Sequence, residues 1–230
     1  MTLSIIIPTF NEAQNIARTV SHLRRHGGAV PPEILVVDGG STDHTAQCAA
    51  AAGAQVLFSP EKGRAQQMNF GAQNSRGDVL YFVHADTLPP ETYLRDIERA
   101  CASGHPLGNF RYRFDSDSWL LRLNAAFTRL PFMFCQGGDK TLFVQRALFV
   151  TLGGYDPQFV IMEEYDFFRR ARKSGHRWVV SPQECVVSAR KYTKNSWLRV
   201  QIANIVVFNL WAFGLAKPPL LKRIYSLLLA

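Results

Sequence analysis

A run of five apolar residues, Val79 to Val83, stands between Asp78 and the triplet His84-Ala85-Asp86. An uninterrupted apolar run of this length, without polar alternation, marks a strand buried on both faces. Strands of that kind belong to parallel sheets covered by helices on either side. Pro89-Pro90 then opens an expected helix over about 91–103. An imidazole and a carboxylate therefore lie at the carboxyl end of a core strand, the edge at which open α/β sheets bind ligands. Capping of the following helix is the competing reading of Asp86.

The same pattern repeats through the first hundred residues. Leu3 to Ile7 reads as a strand stopped by Pro8, and Asn11-Glu12-Ala13-Gln14 resembles a helix cap ahead of Ile16, Val20 and Leu23 at helical spacing. Ile34 to Val37 is a second strand ending in Asp38-Gly39-Gly40-Ser41. A helix from about Asp43 to Ala52, a strand over 55–58 and a helix from Gly63 to Ser75 follow. Strands alternating with helices of this length imply βαβ units and a Rossmann-like, mostly parallel sheet. After residue 104 the periodicity changes. Phe110, Tyr112 and Phe114 alternate with polar residues as in a two-faced strand, 119–130 reads as helical, and 141–144 as a strand. A helix spans about Glu163–Lys173, and two short strands cover 178–180 and 185–187. No linker divides the chain, which is expected to form one domain over 1–230. Within it, 1–104 is the Rossmann-like half, 105–195 a second half of changed periodicity and 196–230 a helical tail.

The net charge of +8 is unevenly placed. From Arg169 onward there are 12 Lys/Arg against Glu184 alone, whereas residues 1–168 carry 14 basic and 17 acidic side chains. A tail of that character suits phosphates, nucleic acid or an anionic membrane surface. The apolar stretch from Trp197 to Leu215 is broken by Gln201, Asn204 and Asn209 and is shorter than the ~20 apolar residues of a membrane span. It and the run from Ile224 to Ala230 read as amphipathic or core helices able to rest on a membrane. Cys48, Cys101, Cys135 and Cys185 form no C-x-x-C pair, which argues against a disulfide framework or zinc site and for a reducing compartment. The N-terminus lacks the charged region of a signal peptide. The expected location is cytoplasmic, peripheral to the inner membrane face.

Neither a G-x-G-x-x-G nor a P-loop follows the early strands, which weakens dehydrogenase and ATPase readings. Acidic or polar groups instead recur at successive strand ends: Thr9 and Glu12, then Asp38, then His84 and Asp86. In a parallel sheet these ends share one edge and converge on one crevice.

Taken in order, SIIIPTFNE, ILVVDGGSTDHT, GRAQQMNFGA, LYFVHADT and GGYDPQFVIMEEYDFFRRARKSG resemble family 2 glycosyltransferases of the GT-A fold, from about Leu3 to Gly175. SARKY near Ser188 and the apolar tail are similar to a small bacterial subgroup associated with radical-SAM and selenium-domain genes. The resemblance implies a metal-dependent, inverting transferase that moves a sugar from a nucleotide-sugar, with UDP favoured over GDP, to an unknown hydroxyl acceptor, lipid-linked or small. It implies Pro8, Thr9 and Glu12 in the nucleotide pocket, Asp38 on the base and Arg64 near the diphosphate. His84-Ala85-Asp86 stands at the place of the family's D-x-D motif, which makes Asp86 the main ligand of Mn²⁺ or Mg²⁺. Such an ion neutralises the leaving diphosphate, and His in the first position bears on the choice of metal.

In the second acidic cluster the resemblance favours Glu164 as base by motif position, ahead of Glu163 and then Asp166. Complementing a helix dipole is the alternative role for these acids. Asp139 is implied near donor sugar or acceptor, with Lys140 departing from the subgroup's Gln, and Arg190, Lys191 and Tyr192 as a lid over the diphosphate. Two other readings remain: a sugar-phosphate nucleotidyltransferase, which calls for a glycine-rich basic loop after the first strand, and a non-catalytic protein docking on membrane or nucleic acid. Buried acids disfavour nucleic acid, whose phosphates they repel.

Overall fold

Ile5, Ile6 and Ile7 have no solvent exposure, and their alternation assigns them to two different cores. They lie in β1 (Leu3–Thr9), followed by α1 (Ile16–Arg25), β2 (Glu33–Asp38), α2 (Thr45–Ala51), β3 (Gln55–Phe58), α3 (Arg64–Gln73) and β4 (Val79–Phe82). A two-residue β5 (Thr87–Leu88) precedes α4 (Tyr93–Ala102), β6 (Leu107–Phe114) and α5 (Trp119–Ala126). Then come β7 (Leu142–Gln145), α6 (Arg146–Thr151), α7 (Glu163–Lys173), β8 (Val179–Val187), α8 (Arg190–Lys194), α9 (Trp197–Ala212) and α10 (Pro218–Leu229). The computed structural model describes residues 1–229, so Ala230, the last residue of the expected apolar run, lies outside the described residues.

All eight strands form one sheet in the order β3-β2-β1-β4-β7-β6-β8-β5. β1, β2, β3 and β4 are mutually parallel, and β7 enters antiparallel to β4. On one face Ile5, Ile7, Val36 and Tyr81 pack with Val20 and Leu23 of α1 and Tyr93 of α4. On the other, Ile6, Val37, Leu80 and Phe82 meet Met68 of α3, Phe149 of α6 and Phe167 of α7. Gly71 lets α3 sit directly on the sheet, because a Cβ there would run into Ile6 and Val37. Complete burial of three isoleucines contributes on the order of 1.5–3 kcal/mol each, which makes β1 the mechanical centre of the first half.

Three local expectations give way to the structure. Asn11 does not cap α1. It adopts φ 55°, and its side-chain oxygen accepts hydrogen bonds from the Thr42 amide (2.8 Å) and hydroxyl (3.3 Å). The two strands expected at 178–180 and 185–187 are one strand, β8. Its register against β6 jumps from Phe110↔Ser181 to Arg111↔Glu184, and the irregularity absorbs Pro182, which has no amide to offer a ladder. The 119–130 segment is α-helical only to Ala126 and tightens into a 3₁₀ turn over Phe127–Arg129. The C-terminal helices α9 and α10 pack as a pair through Val207, Trp211 and Leu221 onto Phe159. Among the described residues no helix is long and apolar enough to cross a membrane.

Candidate active site

The carboxyl ends of β1, β2 and β4 open into a cavity of about 1150 Å³. Pro8, Thr9 and Glu12 line it from the first strand end, Gly39 from the second, and His84 and Asp86 from the fourth. Thr9 and Asp38 are paired across the β1–β2 ladder, so convergence of these ends is a property of the parallel register. Gln67 of α3 ties them together by donating to the Thr9 carbonyl at 2.8 Å and the Val37 carbonyl at 2.7 Å. Glu12 is held by its own amide, which donates to the Thr45 hydroxyl at 2.8 Å.

Asp38 is buried, and its two oxygens differ. Oδ1 accepts from the amides of Gly40 (2.8 Å) and Ser41 (2.7 Å), whereas Oδ2 has no partner. A buried acceptor left unpaired costs about 1–3 kcal/mol; Asp38 itself does not line the cavity, which its neighbour Gly39 reaches from the same strand end. Asp86 does not cap a helix: α4 begins at Tyr93 behind Thr92. Its Oδ2 lies 3.1 Å from Nε of Arg190, and the same guanidinium forms two hydrogen bonds to Glu12. Burial pushes the Asp86 carboxyl above its ordinary value; Arg190 opposes the shift and the charges of Glu12 and Asp139 reinforce it. The lid residue expected over the diphosphate thus bridges two acids of the strand edge.

Opposite stands the amino end of α7. Met162 precedes it at φ 72°, a left-handed conformation that is strained for a non-glycine residue. Glu163 is fully buried and Glu164 is 4% exposed. Arg64 reaches across from α3, with Nε on Glu163 and Nη2 3.2 Å from Glu164. One guanidinium is thus shared between the two acids, and Arg64 also lines the cavity. Burial, opposed by Arg64 and reinforced by Glu163, pushes the Glu164 carboxyl up to about 8. Nε2 of His84 lies 3.9 Å from Glu164, and burial with the nearby Arg64 charge holds the imidazole down to about 4, hence neutral at pH 7.

Glu164 lines the cavity and Asp166 does not; Asp166 is taken by Arg169 (2.9 Å) and Arg170 (2.7 Å) within its own helix. Asp139 lines the cavity, while Lys140 turns away into a buried cage. There its ammonium donates to the Thr128 carbonyl at 2.9 Å and faces side-chain oxygens of Gln136 (3.3 Å) and Asn109 (3.4 Å).

Asp86, Glu12 and Asp139 concentrate negative charge that a divalent cation relieves. Among the described residues no three ligating side chains cluster tightly enough to hold an ion alone. That donor set suits Mg²⁺ or Mn²⁺, which take one or two carboxylates and complete their shell with water and substrate phosphate.

Sequence reasoning missed Gln67, Thr45 and Met162. A buried glutamine in the first turn of a helix carries no pattern of its own, and Met162 is recognisable only from its backbone. A Cβ at Gly137 would run into the Tyr165 ring, so the glycine permits the loop before Asp139 to close on α7.

Residues 4–151 match the profile described as "Glycosyl transferase family 2". An uncharacterized glycosyltransferase of Mycobacterium tuberculosis is 31% identical over 186 residues, covering 74% of this chain and 68% of the relative. A mannosyltransferase from Pyrobaculum calidifontis, solved with GDP-Man and Mn²⁺, superposes with a TM-score of 0.70 at 19% identity, over 97% of this chain and 68% of that one. Glucosyl-3-phosphoglycerate synthase from Mycobacterium tuberculosis, solved with Mn²⁺, UDP and phosphoglyceric acid, gives 0.62 at 17% identity, over 89% and 77%. At these identities the two solved structures speak to the fold, which is GT-A. The strand-edge crevice, the acidic helix start that faces it and the matched profile agree: the chain is a glycosyltransferase and belongs to glycosyl transferase family 2.

Proposed function

We propose that the chain transfers a hexose-type sugar from a UDP-sugar to a hydroxyl acceptor with inversion at the anomeric carbon. The observation that carries this reading is the placement of Glu164 across one cavity from the strand ends that bear Thr9, Asp38 and Asp86. Residues 1–104 hold the donor, 105–195 face the acceptor, and 196–229 close the acceptor side as a helical tail.

Asp38 favours uracil. With Oδ1 committed to two backbone amides, one oxygen remains to accept, which matches the single N3–H of uracil better than the paired donors of guanine. Among the solved neighbours one holds GDP-Man and another UDP, so the fold serves both. Asp86, with Glu12 and Asp139 nearby, holds Mn²⁺ or Mg²⁺, and the bound ion supplies charge neutralisation for the departing diphosphate. Arg190 is positioned to exchange its carboxylate partners for phosphate oxygens.

Glu164 accepts the proton of the acceptor hydroxyl. As that oxygen forms its bond to the anomeric carbon, the bond to the diphosphate breaks and its electron pair leaves with UDP. Attack from the face opposite the diphosphate inverts the centre. Burial, opposed by Arg64 and reinforced by Glu163, sets the proton affinity of Glu164, and neutral His84 borders it without adding a charge. SARKY and the loop around Asp139 support placement in the small bacterial subgroup, and the reading locates the enzyme in the cytoplasm, peripheral to the inner membrane face.

The test is incubation with a panel of UDP- and GDP-sugars, Mn²⁺ and a mixed hydroxyl acceptor pool, followed by nucleotide release and NMR of the product anomer. Metal-dependent UDP release with an inverted anomer supports the reading. A retained anomer, or GDP release alone, contradicts it.

A further inference from the structure

The half of the cavity away from the strand edge has a different chemistry. Its walls are Leu123, Phe127 and Phe134 on one side and Ile205 and Phe208 of α9 on the other. The cavity, at about 1150 Å³, exceeds the usual range of roughly 300–1000 Å³ for small-molecule pockets. A nucleotide-sugar has no use for an apolar wall of this kind.

Apolar side chains continue outward from these walls. On α5, Trp119 and Leu123 are one turn apart, 65% and 46% exposed, and Phe127 extends the line into the 3₁₀ turn. On α9, Leu198, Ile202 and Ile205 repeat at helical spacing, and all are exposed. Leu123, Phe127 and Ile205 belong both to a ridge and to the cavity lining, so the two ridges flank its mouth. Phe132 and Phe134, stacked at 5.7 Å, add an exposed aromatic pair beside it. Exposed apolar surface gathered around an opening is a binding feature, whereas scattered single residues are not.

Charge selects the partner. Around α5, residues 115–139 contain two Arg against Asp115, Asp117 and Asp139, and Arg129 lies 3.6 Å from Glu184, whereas residues 185–230 contain seven Lys/Arg and no acid. Arg122 and Lys194 are exposed next to the ridges. Inside the cavity Lys191 lies 5.5 Å from the Tyr225 ring, with no ion-pair partner among the described residues. Exposed apolar ridges backed by an acid-free basic tail suit a surface that seats on anionic lipid.

We infer that the cavity mouth docks on an anionic membrane and that the acceptor is a lipid. Its apolar chain enters between the α5 and α9 ridges, its anionic group meets Lys191, and its headgroup hydroxyl reaches Glu164. This rests on the glycosyltransferase reading above and specifies its acceptor.

The experiment is vesicle flotation of the full chain with phosphatidylcholine alone and with phosphatidylcholine–phosphatidylglycerol. Wild type is compared with the double variant Trp119→Ser/Ile202→Ser, at two ridge positions outside the cavity lining. UDP binding is measured by calorimetry on the same preparations. The expected result is flotation of wild type with anionic vesicles, a loss of at least about tenfold in the double variant, and unchanged UDP affinity. In parallel, labelled UDP-sugar is offered with vesicles of total lipid from the cell that encodes the protein, and label is expected in the organic phase. Wild type remaining unbound with every vesicle, equal flotation of the variant, or label only in water-soluble product overturns the inference. Flotation without UDP binding would instead count against the donor assignment, so the two failures are distinguishable.

Discussion

Replacing Arg64 by methionine keeps the stem that packs on the cavity wall and removes the guanidinium shared by Glu163 and Glu164. Glu163 is fully buried and Glu164 nearly so. Removing one partner of a buried pair costs about 3–5 kcal/mol. The Arg64 side chain is itself 33% exposed at the cavity, so water replaces part of what is lost and about 2–3 kcal/mol is expected. For a chain of this size that is a fall in Tm of roughly 4–12 °C.

The pH dependence gives the sharper signature. Glu164 already titrates near 8 in the folded chain, above its unfolded value of about 4.3. Such a carboxyl retains a proton that the unfolded chain has released, so stability falls as pH rises between those two values. Without Arg64 the folded value climbs further. The share of the deficit that comes from Glu164 is therefore absent near about pH 5 and grows towards about pH 9, on top of the loss of the Arg64–Glu163 pair. Because the base acts when ionised, the acidic limb of kcat/KM moves to higher pH. Differential scanning calorimetry at the two pH values and a pH–rate profile read both effects. A deficit independent of pH, or a limb that moves to lower pH, refutes the proposed control of Glu164 by Arg64.

Glu164→Gln is expected to lower the transfer rate by roughly 10²–10⁴-fold while leaving UDP affinity unchanged, and wild-type kcat/KM should climb with pH towards a plateau above about 8; single-turnover kinetics with calorimetry separates the two. Asp38→Ala removes a charge-assisted hydrogen bond worth about 1.5–3 kcal/mol, so UDP should bind roughly tenfold to a hundredfold more weakly by titration calorimetry. Lys140, buried in its cage, is pushed down to about 7 by burial. The unfolded chain then binds more protons between about 7 and 10.4, and this group makes stability rise with pH across that window. Lys140→Gln should remove that rise, seen as a smaller difference in Tm between neutral and alkaline buffer.

Much of the first half was legible because burial on both faces of a parallel sheet leaves unbroken apolar runs. Val79 to Val83, Ile34 to Val37 and Ile5 to Ile7 identified themselves, and parallel register then forced their ends together. Position along the chain could not reveal pairing. Arg64 belongs with Glu163 and Glu164, some hundred residues away, and Arg190 with Glu12 and Asp86; both pairings depend on how α3, α7 and α8 fold over the strand edge. Asn11 misled because an Asn three residues before a Gln satisfies a capping pattern locally, while its left-handed backbone and bonds to Thr42 are tertiary. Pro182 hid the continuity of β8, since a strand interrupted by proline reads as two until its bulge is seen. The tail was readable as apolar and basic. Its role as one wall of the cavity needed the packing of Val207, Trp211 and Leu221 against Phe159.

The most direct test of the central claim is titration calorimetry of UDP into the full chain with Mn²⁺, with Mg²⁺ and with EDTA, repeated for Asp86→Ala. The account predicts saturable UDP binding that requires the divalent ion and is lost in the variant, while the variant retains the wild-type fold by circular dichroism. UDP binding that is equally tight in EDTA, or unchanged in Asp86→Ala, would contradict it.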